Sequence, residues 1–191
     1  MVRPAVTPME VREAAKSFKA RTTLVEGWHP RHFGMMSDSL LTCLGHIWHM
    51  CEVAQYWPEC EAAMLAKLIP KASGGLRPTV WFRSGFRVFA RSRRQAVRDW
   101  YSDWAKARPE FNMAPGRHTT DAIWRAMVKQ QVADASAKFL EWNRDLQKAF
   151  DHVSRDILWE TGVRFDYPLD ILATSLTSYG WDRRFILNSE V

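Results

Sequence analysis

A disulfide framework is the first thing this sequence lacks. Its three cysteines, Cys43, Cys51 and Cys60, are an odd number without framework spacing, which suits a reducing, intracellular compartment. Glycine is scarce, nine in 191 residues, and that excludes a fibrous or loop-dominated chain. No apolar run approaches the roughly 18 residues that cross a bilayer, so no membrane partner is expected. The opening residues do not form a secretory leader, because Pro4, Thr7, Glu10 and Glu13 interrupt them. Internal repeats and low-complexity tracts are absent. Acid is missing where base is concentrated: from Lys71 to Arg108, ten Lys and Arg face two Asp, a local charge of +8 in a chain that totals +6. The remainder is thus close to neutral, and a positive field confined to one stretch suits a polyanion, nucleic acid before membrane.

What is present describes a globular chain. With 47% hydrophobic and 25% charged residues, 191 residues suffice for one domain with a real core, or one domain and an arm. Ten Trp and ten Phe make that core, or a binding face, rich in flat side chains. Residues 9–20 read as a helix, and Glu26-Gly27-Trp28-His29-Pro30 as a turn. Ser37-Asp38 caps a second helix with an apolar stripe of Leu40, Leu41, Leu44, Ile47 and Trp48. Inside it, Cys43, His46, His49 and Cys51 are four metal-ligand types in nine residues. One helix cannot turn all four toward one ion, so the expectation is a packed stripe of Cys43, His46 and Met50. Ala62 to Ile69 reads as a helix end or a short strand.

Gly74-Gly75 lies between two β-prone runs and marks a hairpin tip. Lys71 and Arg77 flank that tip, where their heads either converge on a phosphate or sit solvated. Phe82 to Trp104 reads as one amphipathic helix with Phe82, Phe86, Phe89, Val97, Tyr101 and Trp104 on its apolar face. Arg83, Arg87, Arg91, Arg94 and Arg98 step by four, four, three and four, a second ridge suited to a phosphate backbone. A further helix starts at Thr119 or Thr120 and runs through Ile123, Trp124, Met127 and Val128. Phe139 to Asp145 either continues it or becomes a strand. From Asn143 to Val153 the chain places Asp145 before the helical pattern of Leu146, Phe150, Val153 and Ile157, which by itself is an N-capped amphipathic helix. Leu169 to Tyr179 reads as the last helix, and Arg184-Phe-Ile-Leu as a short final strand. The fold class expected is α+β and helix-rich.

The order of these features resembles the reverse transcriptase domain of non-LTR retrotransposons, over roughly residues 17–187. The resemblance rests on Ser17-Phe-Lys-Ala-Arg-Thr-Thr with Glu26-Gly27-Trp28-His29-Pro30, which is similar to the segment before the fingers. Trp57-Pro58, Leu68-Ile-Pro-Lys71 and Gly75-Leu-Arg77-Pro are similar to the fingers hairpin, and Phe86-Arg-Val-Phe-Ala-Arg to the helix after it. Asp145-Leu-Gln-Lys-Ala-Phe150-Asp151-His-Val is similar to the first catalytic motif of the palm. Departures are Glu141, Asn143 and Arg144 where apolar residues precede the family's carboxylate, and Glu26 where Asp is usual.

The resemblance implies fingers and the start of the palm of a right-hand polymerase, incomplete. Residues 1–64 would be a helical segment before the fingers, 65–118 the fingers hairpin and basic helix, and 119–191 the start of the palm. It implies an RNA-directed DNA polymerase, joining a primer 3′-OH to the α-phosphate of a deoxynucleotide on an RNA template with two Mg²⁺ ions. Asp145 would be the first metal-binding carboxylate, with the carbonyl of Leu146 as a further ligand. Lys71 and Arg77 would hold the deoxynucleoside triphosphate, and Phe150 would block a 2′-OH. Arg83, Arg87, Arg91, Arg94 and Arg98 would lie near RNA template or DNA primer phosphates. Self-association through an exposed palm edge is expected too, in the nucleus or the cytoplasm. The 191 residues hold neither a Gln-Gly nor an aromatic-x-Asp-Asp motif, so this chain is not expected to polymerise DNA by itself. Two other classes fit the composition: a non-catalytic basic RNA- or DNA-binding protein, and a helical scaffold whose aromatic residues meet a partner.

Overall fold

The computed structural model describes residues 3–72, 74–109, 114, 116–134 and 153–186. Among them the fold is α+β and helix-rich, with one small mixed sheet. Two compact units emerge: Met1–Gln95 with Pro168–Val191, and Ala96–Tyr167.

The first unit opens with helix α1 (Pro8–Lys16). Thr7 and Glu10 close a reciprocal capping box, and Pro8 occupies the first helical position, where its missing N–H costs nothing. The helix stops at Lys16, short of the expected residue 20, because the Ser17 hydroxyl bonds back to the Ala14 carbonyl at 2.6 Å and Phe18 turns into the core. A 3-10 helix (Pro30–Met35) follows the Gly27 turn. Helix α2 (Asp38–Ala54) is N-capped by Ser37, as expected, and ends on Gln55 in the left-handed region at φ 50°. Leu41 and Trp48 are buried, but Leu40 and Ile47 face outward, 52% and 47% exposed. Cys43, His46 and Met50 are exposed as well, so the packed stripe expected of them does not form. The core takes only the Leu41–Gly45–Trp48–Glu52 side of the helix.

Strands β1 (Ala63–Pro70) and β2 (Leu76–Phe82) form the antiparallel hairpin announced by Gly74 and Gly75, whose φ of 85° and 81° only glycine adopts without strain. This resolves Ala62 to Ile69 as strand. The final strand β3 (Asp182–Ile186) pairs parallel to β1, giving the order β2-β1-β3. One helix was expected over Phe82–Trp104, and the structure corrects this. Phe82 ends β2, Arg83 is the N-cap, and the helical stretch divides at Arg93 into α3 (Ser84–Ser92) and α4 (Arg94–Lys106).

At the interruption the Arg93 side chain is buried in an ion pair. Arg93 is 6% and Glu52 1% exposed, and they meet as a fork: Nε donates to Glu52 Oε1 at 2.9 Å and Nη2 to Oε2. Nη2 also donates to the Pro4 carbonyl at 2.8 Å. One buried guanidinium thus ties α2, the end of α3 and the N-terminal segment together. Around it lies an aromatic core in which Trp57 meets Phe86 and Phe89, both at 4.9 Å between centroids, and Phe86 meets Trp181 edge-on at 4.7 Å.

Helix α7 (Leu169–Ser178) belongs to this unit, and Arg3 forms an ion pair with Asp170 in its first turn. Burial alone would raise the Asp170 carboxyl, but the hydrogen bond and charge of Arg3 outweigh it, and backbone N–H groups add to them, so its pKa lies below the ordinary 3.8. A depressed carboxyl contributes stability that is whole above its unfolded pKa and is lost as pH falls toward the folded value. Urea midpoints should therefore decline as acidification passes below 3.8, and Asp170→Asn should flatten that decline. An unchanged acid limb in the variant would remove Asp170 from it.

In the second unit, α4 continues to Lys106 and is followed by α5 (Thr119–Asp134) and α6 (Arg155–Arg164). Trp100 donates its indole N–H to the Phe165 carbonyl at 2.8 Å and meets Tyr167 edge-on. Arg117 donates to the Ala105 and Arg108 carbonyls at 2.8 and 2.7 Å, supplying donors that the end of α4 lacks. The helix starting at Thr119 agrees with expectation, and its apolar residues Ile123, Trp124, Met127 and Val128 are exposed.

Candidate nucleic-acid interface

The sheet decides which charges share a surface. Side chains alternate along a strand, and residues paired in register point the same way. Lys67 pairs with Thr79, Ile69 with Arg77 and Leu65 with both Trp81 and Arg184. Lys67, Arg77 and Arg184 therefore project from one face, with half-buried Trp81 among them. The alternation carried one step past β1 places Lys71 on it too, where its N–H donates to the Gly75 carbonyl at 3.0 Å. Arg77 stands diagonal to Lys67 and, by that alternation, to Lys71. Arg184 is diagonal to Lys67 on the other side. Diagonal neighbours lie about 7–8 Å apart, so the four cations form a track across three strands. All four are exposed, and none forms an ion pair among the described residues.

Two of these, Lys71 and Arg77, are the residues that the hairpin reading singled out. Lys67 and Arg184 were missed. Lys67 is a lone charge in an apolar strand run, and Arg184 joins the face only through a parallel pairing with a distant segment.

The arginine series divides. Arg87 Nη1 donates to the Thr23 carbonyl at 2.7 Å, and Arg91 Nη1 to Ser17 Oγ at 3.3 Å. Their guanidinium carbons sit 5.4 and 4.5 Å from the centre of the Phe18 ring. Burial lowers the Arg87 pKa; the nearby Glu26 raises it and Arg91 lowers it further. Arg83 is half-buried beside a carboxylate pair that holds the start of α3. There Glu26 accepts from the Ser84 N–H at 2.5 Å and Glu61 from the Phe86 N–H at 3.2 Å. Burial pushes the Glu61 carboxyl up; the Phe86 bond lowers it, Glu26 raises it, and Arg83 lowers it. Gly85 permits this, since a Cβ there would come within 2.6 Å of Glu61 Oε1. Arg87 and Arg91 are thus engaged with their own chain, Arg83 is half-buried with its Nε buried and without a hydrogen-bond partner among the described residues, and only Arg94 and Arg98 of the series are exposed.

Asp145, Leu146 and Phe150 lie outside the described residues, as do Glu141, Asn143 and Arg144. Among the described residues no three His, Cys, Asp or Glu side chains gather as metal ligands. Within the Cys43–Cys51 segment, Cys43 and His46 are exposed while Cys51 is buried. Burial raises the Cys51 thiol pKa, with Glu61 and Cys60 adding to the rise against a backbone hydrogen bond. No described helix is long and apolar enough to cross a membrane.

At one end of the sheet the basic face borders an open cavity of about 500 Å³. Parallel strands begin at the same end, so the segments entering β1 and β3 meet there. Gln55 and Tyr56 come from one entry, and Gly180, Trp181 and Asp182 from the other. Thr177 Oγ1 donates to Gln55 Oε1 at 3.2 Å and links the two. Compared with known proteins, the chain matches no protein-family profile and no curated sequence.

Proposed function

We propose that this chain is a nucleic-acid-binding domain of the reverse-transcriptase type, in which the hairpin face holds phosphates of template, primer or incoming deoxynucleotide. The observation that supports it is the placement of Lys67, Arg77 and Arg184, with Lys71 at the tip, on one exposed sheet face, none of them ion-paired among the described residues. Arg offers a planar fork and Lys a point charge, the two modes by which proteins hold phosphate. In this reading Lys71 and Arg77 hold a deoxynucleoside triphosphate, and Asp145 with Leu146 belongs to a Mg²⁺ site in the palm. Mg²⁺ would supply charge neutralisation at the reacting phosphate.

A second reading is favoured by the breadth of the face. A triphosphate needs only the hairpin tip, whereas cations from all three strands make a track for a polynucleotide. The alternative is therefore RNA or DNA binding without chemistry.

The test is fluorescence anisotropy with a labelled single-stranded RNA, titrated between about 50 and 200 mM salt. Affinity should fall steeply with salt, and each of Lys67→Ala, Arg77→Ala and Arg184→Ala should reduce the log–log slope by about 0.7. A deoxynucleoside triphosphate should compete for the wild type and lose that competition in Lys71→Ala/Arg77→Ala. Salt-insensitive binding, or variants with the parent slope, would remove the sheet face from the function. Competition unaffected by the tip variants would leave only the polynucleotide reading.

A further inference from the structure

We infer that the cavity beside the sheet takes an unpaired nucleobase, from a single strand whose phosphates lie along Arg184, Lys67 and Arg77. The inference rests on the nucleic-acid reading above and adds how that strand is told from a duplex.

Arg184 lines the cavity and also begins the cation track, so a strand on the track has one of its nucleotides at the mouth. The volume, about 500 Å³, is within the range of small-ligand clefts.

The walls suit a flat, hydrogen-bonding guest. Tyr56 is 65% exposed and free to lie against a ring. Trp181 is held in place by Phe86, Phe82 and Trp57, at 4.7, 5.9 and 6.0 Å between centroids, so it offers a fixed aromatic surface. Stacking on such side chains is tolerant of base identity. Behind it the buried Trp57 Nε1 meets no acceptor among the described residues.

Glu59 and Asp182 line the cavity, and neither forms an ion pair among the described residues. On a face that attracts phosphate, two free carboxylates would repel a backbone placed inside. They can instead accept N–H groups from a base edge, as carboxylates do from cytosine N4. The cavity thus rejects phosphate and accepts a base, while Arg184 at its rim does the reverse. A base in a duplex has its Watson–Crick edge occupied and cannot enter.

The experiment compares a single-stranded oligonucleotide, the same oligonucleotide annealed to its complement, and a free nucleoside monophosphate, each against wild type, Tyr56→Ala and Lys67→Ala/Arg77→Ala. Tyr56→Ala should fold normally, since its side chain is exposed. The single strand is expected to bind more tightly than the duplex and to quench tryptophan fluorescence. Tyr56→Ala should weaken the single strand about tenfold and leave the duplex unchanged, whereas Lys67→Ala/Arg77→Ala should weaken both. If single strand and duplex bind equally and Tyr56→Ala changes neither, the base site is overturned while the phosphate track stands. If the nucleoside monophosphate saturates the cavity and the single strand does not displace it, the strand is the wrong source. If neither nucleic acid binds, both readings fall.

Discussion

Arg93→Ala is expected to lower the unfolding free energy by about 3–5 kcal/mol, a large share of the roughly 5–15 kcal/mol that holds a domain folded. The magnitude follows from what the substitution leaves behind. Glu52 has 0% side-chain exposure, and without the fork its carboxylate is stranded where water does not reach. The Pro4 carbonyl loses its donor too. Removing both charges should cost less, because two well-packed apolar side chains leave no unpaired ion. Urea unfolding at neutral pH of Arg93→Ala, Glu52→Ala and Glu52→Leu/Arg93→Met measures this. The double variant should be more stable than either single one. A change within about 0.5 kcal/mol for Arg93→Ala, as at an ordinary surface site, would show that the pair is not buried as described.

The second large effect is expected at Gly45. A Cβ built there would lie 2.2 Å from the Val6 carbonyl oxygen and 3.3 Å from its carbon, a contact with backbone that no rotamer relieves. Val6 is itself 2% exposed, so the N-terminal segment is pressed against α2 at this point. Alanine is worth about 1 kcal/mol more than glycine in a helix interior, yet Gly45→Ala should destabilise by about 1–3 kcal/mol by forcing the segment off. Faster proteolysis before Pro8 should accompany the loss. Deleting residues 1–6 should reverse the sign, making Gly45→Ala neutral or stabilising within the shortened chain. A stabilising Gly45→Ala in the full chain would mean that the segment does not pack there.

Much of the secondary structure was legible because its causes are local. Ser37 before an apolar-periodic run, Gly74-Gly75 between β-prone runs, and Thr119 with Asp121 in the following turn are each read within four residues of the backbone groups they satisfy. The hairpin placement of Lys71 and Arg77 followed from the same local chemistry. The faces of α2 did not. Leu40 and Ile47 match the helical period as well as Leu41 and Trp48, and only the neighbouring elements choose between them.

The buried pair was invisible for a related reason. Glu52 reads as a solvated charge near a helix end, and Arg93 falls outside the ridge that drew attention to its neighbours. Phe82 to Trp104 carries an unbroken helical pattern, yet it divides at Arg93, whose side chain meets a partner on α2. Arg87 and Arg91 read as part of a row facing solvent until Phe18, Thr23 and Ser17 fold against them. By itself, then, the sequence determined the helix-rich α+β class, most helix starts, the hairpin and the concentration of positive charge. The tertiary structure decided which charges are free, because pairing β3 beside β1 and burying Glu52 against Arg93 depend on contacts between distant segments. Such contacts are selected by burial and charge compensation over the whole core, not by the periodicity of any one stretch.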